Sequence, residues 1–250
     1  MRALALLGGV VLWLGCGQPK PAVDAGPDTS CGLDCAAQTK FGLLVNRCFE
    51  YSDTAAAQEL PALGMWVRPV VTLEGGLRVL PVEYRQNGQL RMIDSFTFVG
   101  GDLQLVRREF LVTRQSVTYK KGAVISGVQW LSPDAVAGGI YETPADAFVV
   151  NQAGSGTTTP TNYKVNTVAA STTELRTPFK TYASGLTLVT FETPDHGSDT
   201  RRTYVPDVGF VFIASAFSLT GGMSLPLFVQ RIRDPGTPDG GAEDCSLGSP

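Results

Sequence analysis

The chain reads as a mainly β protein built of antiparallel strands, and three features predict it. Its 28 glycines and 16 prolines are spread between apolar runs along 250 residues, which favours many turns and short strands over long helices. VLPVEYRQNGQLRMIDSFTF, residues 79–98, sets Asn-Gly between two β-rich runs, a strong short-range hairpin signal. In the second run Phe96 and Phe98 alternate with Ser95 and Thr97, the period of two expected of a half-buried strand. Hydrophobic residues make up 43% of the chain and charged residues 17%, enough apolar surface to bury a core.

Taken in order, DTAAAQEL (residues 53–60) predicts a short helix with Asp53 as N-cap and Pro61 near its stop. Strands begin at Trp66. Gly100-Gly101-Asp102 turns into LQLVRREFLV, and Lys120-Lys121-Gly122 marks another turn after SVTY, a spacing that reads as a meander. SPDAVAGG (residues 132–139) has a capping Ser132, a starting Pro133 and terminal glycines, the marks of a single helical turn. QAGSGTTTPT (residues 152–161) is expected to be a flexible polar loop. Strands resume at NYKVNTVAA, LTLVTFET, GFVFIASAFSL and LPLFVQRI, with turns at Pro194-Asp195-His196-Gly197, Pro206-Asp207 and Gly221-Gly222. From about residue 234 the chain is polar and rich in Pro and Gly, a tail held only where Cys245 pins it. No repeat or composition shift divides residues 31–250, which are expected to form a single β-rich domain.

Two stretches sharpen the architecture. YETPADAF (residues 141–148) and TYVPDVGFVFI (residues 203–213) resemble a paired pattern in uncharacterised exported bacterial proteins, carried here by Thr143, Pro144, Ala145 and Phe148, then Tyr204, Pro206, Val208, Gly209 and Val211. Asp146 and Asp207 stand where those proteins have Gly. The resemblance implies a curved antiparallel half-barrel with one or two short helices, similar to the lipoprotein-localisation carriers and receptors; a β-sandwich is the alternative. It also implies a concave apolar face able to take an acyl chain or a partner's segment. In the residues themselves, Pro206-Asp207 suits a turn and Gly209 a bulge or sharp bend before a core strand.

The amino terminus suggests an address. Arg2 precedes an apolar stretch from Ala3 to Leu14, too short for the ~20 residues a membrane-spanning helix needs, so residues 1–15 read as a cleaved signal peptide. The junction Leu12-Trp13-Leu14-Gly15-Cys16 resembles the lipobox of bacterial lipoproteins, with Trp13 where the family usually has Leu. That resemblance implies lipidation of Cys16 and a membrane anchor of two or more acyl chains, where one chain alone holds only weakly. Gly17 replaces the Asp that often marks retention at an inner membrane, which favours an outer-membrane destination facing the periplasm or the cell surface. Residues 16–30, with Pro19, Pro21 and Pro27, form an extended tether.

If Cys16 carries lipid, the four remaining cysteines, Cys31, Cys35, Cys48 and Cys245, suffice for two disulfides with three possible connectivities. Whichever partner Cys245 takes would tie the two ends of the domain, worth about 4–5 kcal/mol in the chain-entropy account. Zinc would need a fourth ligand beside Cys31, Cys35 and Cys48, and the single histidine, His196, is remote in sequence.

No motif for chemistry stands out. His196 lies among Asp195, Ser198 and Asp199, residue types that suit a polar turn better than a triad. GSGTTT lacks the lysine of a phosphate loop, and neither G-x-S-x-G nor H-E-x-x-H occurs. A net charge of −3 excludes a broad nucleic-acid footprint, and the pairs Arg107-Arg108, Lys120-Lys121 and Arg201-Arg202 read as solvated strand faces. Tyr141, Tyr163, Tyr204, Trp66 and Trp130 offer rings for stacking on a sugar, yet at strand positions they fit a core better. The expectation is therefore a non-catalytic envelope lipoprotein without cofactor or metal, binding a hydrophobic ligand or an envelope partner. The alternatives are a structural envelope protein with a filled core and an enzyme acting on envelope polysaccharide.

Overall fold

The computed structural model describes residues 31–54, 62–86, 88–132, 140–168, 174–183, 188–193, 200–215 and 226–234. One helix, α1 (Cys35–Phe41), leads into β1 (Cys48–Ser52), β2 (Leu63–Val67) and the short β3 (Val71–Thr72). Then come β4 (Arg78–Gln86), β5 (Gln89–Val99), β6 (Asp102–Phe110), β7 (Gln115–Lys121), β8 (Val124–Ile125) and β9 (Val128–Leu131). The second half holds β10 (Ile140–Val150), β11 (Gly156–Val168), β12 (Leu175–Arg176), β13 (Thr181–Tyr182) and β14 (Leu188–Thr193). It ends with β15 (Thr200–Val205), β16 (Gly209–Ser215) and β17 (Pro226–Arg233). The protein is mainly β, as its sequence predicts.

All strands but β12 and β13 join one curved antiparallel sheet. In chain order β1, β2, β4, β5 and β6 are neighbours, β7 follows on β6, and β10, β11 and β14 to β17 continue the meander. β17 then pairs with β1, Cys48 opposite Arg233, so the sheet curls until its first and last strands lie side by side. Register shifts at Glu50/Tyr51, Tyr84/Arg85, Ser95/Phe96 and Thr203/Tyr204 supply the extra twist that such curvature needs. β12 and β13 form a small pair of their own, docked where the Phe179 N–H donates to the Val229 carbonyl.

Local chemistry accounts for the turns. Gln86 pairs with Gln89 across a two-residue loop whose Gly88 has φ +71°, the hairpin that Asn-Gly predicts. Between β15 and β16, Asp207 and Gly209 take φ +62° and +112°, and the shift at Thr203/Tyr204 gives the bulge expected beside Gly209. Two expectations are corrected. GTTTPT is a strand, the first half of β11, where Thr157 to Pro160 face Val149 to Asp146; β-branched threonines suit a pleated sheet even beside turn-forming Gly and Pro. Ser95 and Thr97 are buried along with Phe96, so β5 is covered on both faces there. The helix expected from Asp53 to Leu60 and the turn in SPDAVAGG fall mostly outside the described residues.

The curved sheet closes over aromatic side chains. Phe96 lies 4.9 Å from Trp130, Trp130 5.1 Å from Phe210, and Tyr119 5.2 Å from Tyr163, centroid to centroid. Helix α1 starts at Asp34, whose carboxylate accepts the Ala37 N–H at 3.0 Å, and stops at Gly42 with φ +67°. Its Phe41 is fully buried, 6.0 Å from Phe98 and 5.8 Å from Tyr204, a contribution of about 1.5–3 kcal/mol from one side chain.

Candidate functional site

Two clusters of charge stand out, one inside the sheet and one outside. The inner one begins at Asp94, which the alternation of β5 turns inward between Met92 and Phe96. Arg108, its cross-strand neighbour on β6, donates from Nε at 2.6 Å and from Nη2 at 2.9 Å. Arg202 of β15 brings a third charge, its Nη2 3.8 Å from Asp94 Oδ2 and its guanidinium 4.5 Å above the Trp130 ring. Both arginines are buried, which corrects the expectation of a solvated face for Arg108 and Arg202, whereas Lys120 is half-buried and Lys121 exposed. The physical reason is the period of two: of Arg107 and Arg108, one must face in, and Arg107 turns out to hydrogen-bond Thr118 Oγ1 at 3.0 Å.

Tyrosines complete this interior. The Tyr51 hydroxyl donates to the Phe210 carbonyl at 2.8 Å, and burial, helped by neighbouring Tyr84, pushes its pKa well above the usual tyrosine value. Burial raises Tyr182 to about 12 and lifts Tyr204 further, with Asp207 adding to the second effect. Among the described residues the enclosed Tyr182 hydroxyl has no hydrogen-bond partner. The Tyr204 hydroxyl donates to the Lys40 carbonyl and fastens β15 to the end of α1.

The outer cluster spans β17, β1, β2 and β4. Glu50 pairs with Arg233 at 2.6 Å and Arg231 at 3.6 Å, while Glu83 pairs with Arg85 at 2.7 Å and Arg68 at 3.4 Å. Trp66 lies beneath two of these groups, with the guanidinium carbons of Arg68 and Arg85 at 3.9 Å and 5.7 Å from its ring centroid. The first described residues meet the sheet nearby. Gly32 packs on Val70, and its carbonyl accepts Arg78 Nη2 at 2.7 Å.

The residues singled out from sequence divide cleanly. Cys48 is disulfide-bonded; α1 begins at Cys35 and holds it exposed at the helix start, with Cys31 partly buried four residues before it. The remaining cysteines, Cys16 and Cys245, and the turn carrying His196 lie outside the described residues. Tyr163, Tyr204 and Trp130 are buried core, Tyr141 packs against that core, and Trp66 faces outward under Arg68. Sequence reasoning missed Asp94 and its arginines, although an acid at an inward position of RMIDSF was a usable signal. Among the described residues no three His, Cys, Asp or Glu side chains gather to hold a metal, and no helix is long and apolar enough to cross a membrane. No family model, curated protein or solved structure matches the chain.

Proposed function

We propose that the protein is a non-catalytic cell-envelope lipoprotein, anchored through a lipid on Cys16, whose curved sheet is filled by its own side chains and works through its outer surface. The observation that carries this reading is the packing of the interior. Phe96 packs on Trp130 at a tilt and Trp130 meets Phe210 edge to face, and Asp94, Arg108 and Arg202 occupy the layer beside them. An acyl chain bound there would displace aromatic contacts and lie against a desolvated ion cluster, both unfavourable. A filled body of this kind favours the structural alternative over a hydrophobic-ligand carrier. The lipobox resemblance supplies the anchor, and Gly17 favours an outer membrane, facing the periplasm or the cell surface.

The test has two arms. Metabolic labelling with a clickable fatty acid should mark the full chain and leave the Cys16→Ser variant unmarked; a label that survives the substitution would overturn the anchor. Native mass spectrometry of the purified mature chain should find it without a copurified lipid beyond the covalent one. A stoichiometric lipid or fatty acid would restore the carrier reading.

A further inference from the structure

The outer face of β17, β1, β2 and β4 carries charge opposite in sign to that of the chain, whose net charge is −3. Among the described residues, four arginines, Arg68, Arg85, Arg231 and Arg233, surround two carboxylates, Glu50 and Glu83. The carboxylates lie low, their side chains 7% and 13% exposed, while those of Arg231 and Arg68 are 60% and 35% exposed. Positive charge is therefore what this face shows to water. Cross-strand register sets the groups in adjacent rows, Arg231 opposite Glu50, Glu50 opposite Gly64 and Gly64 opposite Arg85, with Trp66 opposite Glu83. Four neighbouring strands cover about 15 Å, just under two Debye lengths of about 8 Å at physiological salt, so arginines on adjacent strands act together on a charged plane. The Trp66 ring stacks against Arg68 and Arg85 and holds their guanidiniums above the sheet.

The entry of the chain adds a second argument. Gly32 is packed on Val70, two residues beyond Arg68, so the tether that starts at Cys16 joins the domain at the margin of this face. Fifteen residues, 16–30, reach at most about 50 Å, so a lipid at their far end holds the margin where the chain enters the sheet within that distance of the bilayer. We propose that this arginine face docks on an anionic phospholipid surface, the membrane that holds the lipid on Cys16. The proposal rests on the anchor reading above. It adds an orientation: the outer side of β17–β1–β2–β4 turned to the headgroups.

The experiment uses the full mature chain, residues 16–250, made without lipid by Cys16→Ser. It is sedimented with phosphatidylcholine vesicles prepared with and without phosphatidylglycerol. Binding should appear only with the anionic lipid and fade as salt rises. Arg68→Gln and Arg231→Gln should each weaken it about fivefold, because each basic group near such a surface contributes independently. Both substitutions leave the buried carboxylates a partner, Arg85 for Glu83 and Arg233 for Glu50. Arg68→Lys and Arg231→Lys, which keep the charge, should keep binding. Lys164→Gln on β11, half-exposed and paired with Glu142, should change little. Equal binding to both vesicle types, or an equal loss from Lys164→Gln, would overturn the surface. So would competition by inorganic phosphate beyond that of chloride at matched ionic strength, which would mark a discrete phosphate site. A failed acyl label would overturn the anchor and leave the vesicle result standing, so the two failures are distinguishable.

Discussion

Asp94 accepts from Nε and Nη2 of Arg108, with the Arg202 guanidinium 3.8 Å away, inside a core of rings and aliphatic chains. A buried pair of this kind is costly to break and cheap to replace, because most of the penalty comes from leaving one charge behind. Asp94→Asn should therefore lower unfolding stability by about 3–5 kcal/mol, read from urea titration of the mature chain. Replacing all three charges by apolar groups, Asp94→Leu with Arg108→Leu and Arg202→Met, should recover much of that loss. A triple variant less stable than Asp94→Asn would show that the cluster is a net source of stability. The presence of an inward acid was legible, since Asp94 shares the phase of Met92 and Phe96. Which arginine of Arg107-Arg108 joins it was not, because the register shift at Ser95/Phe96 resets the phase between the two strands.

Helix α1 is held to the sheet by its last residue and its stop. Gly42 has φ +67°, and a Cβ there would lie 2.3 Å from the Val208 carbonyl oxygen, on the backbone of the β15–β16 turn. Arg47 reinforces the junction by donating to the carbonyls of Gly42 and Val208. Gly42→Ala should then cost more than the ~1–2 kcal/mol of left-handed strain alone. Asn tolerates that backbone region, so Gly42→Asn separates strain from clash: it should remain strongly destabilising by thermal melting. Gly122, with φ +63° and nothing near its missing Cβ, should accept Asn at little cost. Hairpins joined by such glycines were readable from sequence because two residues determine each turn. The start of β11 was not, since Gly, Thr and Pro are shared by loops and edge-tolerant strands, and only pairing with Ala145 to Val150 decides between them. Pairing decides the cysteines too. Arg233 lies opposite Cys48, so the chain leaves β17 beside that sulfur, and Cys245 follows only eleven residues after Asp234. Unreduced peptide mapping should recover Cys48 with Cys245, and finding Cys48 joined to Cys16 would overturn both that bridge and the lipid.

At the scale of the molecule, the meander was legible but its return was not: β1 and β17 are more than 170 residues apart in sequence, and no local signal announces that they pair. That return encloses the tyrosines, and their protons report on it. Tyr51, Tyr182 and Tyr204 are all held above the ordinary tyrosine pKa by burial, Tyr182 at about 12. In the unfolded chain the same groups ionise near pH 10. Above that pH the unfolded state sheds protons that the folded state keeps, so ionisation favours unfolding. The contribution is intact below about pH 10 and is lost as pH rises towards and beyond 12, at about 1.4 kcal/mol per pH unit for each tyrosine held back. Alkaline unfolding should therefore be steep and cooperative, with tyrosinate absorbance of the buried set rising together with loss of the β-sheet circular dichroism signal. Tyr182→Phe removes one ionisable group and no hydrogen bond to the described residues, so it should shift the alkaline transition upward and make it shallower. Tyrosinate absorbance from all the tyrosines that rises before the sheet signal falls would mean that water reaches the interior in the folded state, and the filled body proposed for this protein would have to be given up.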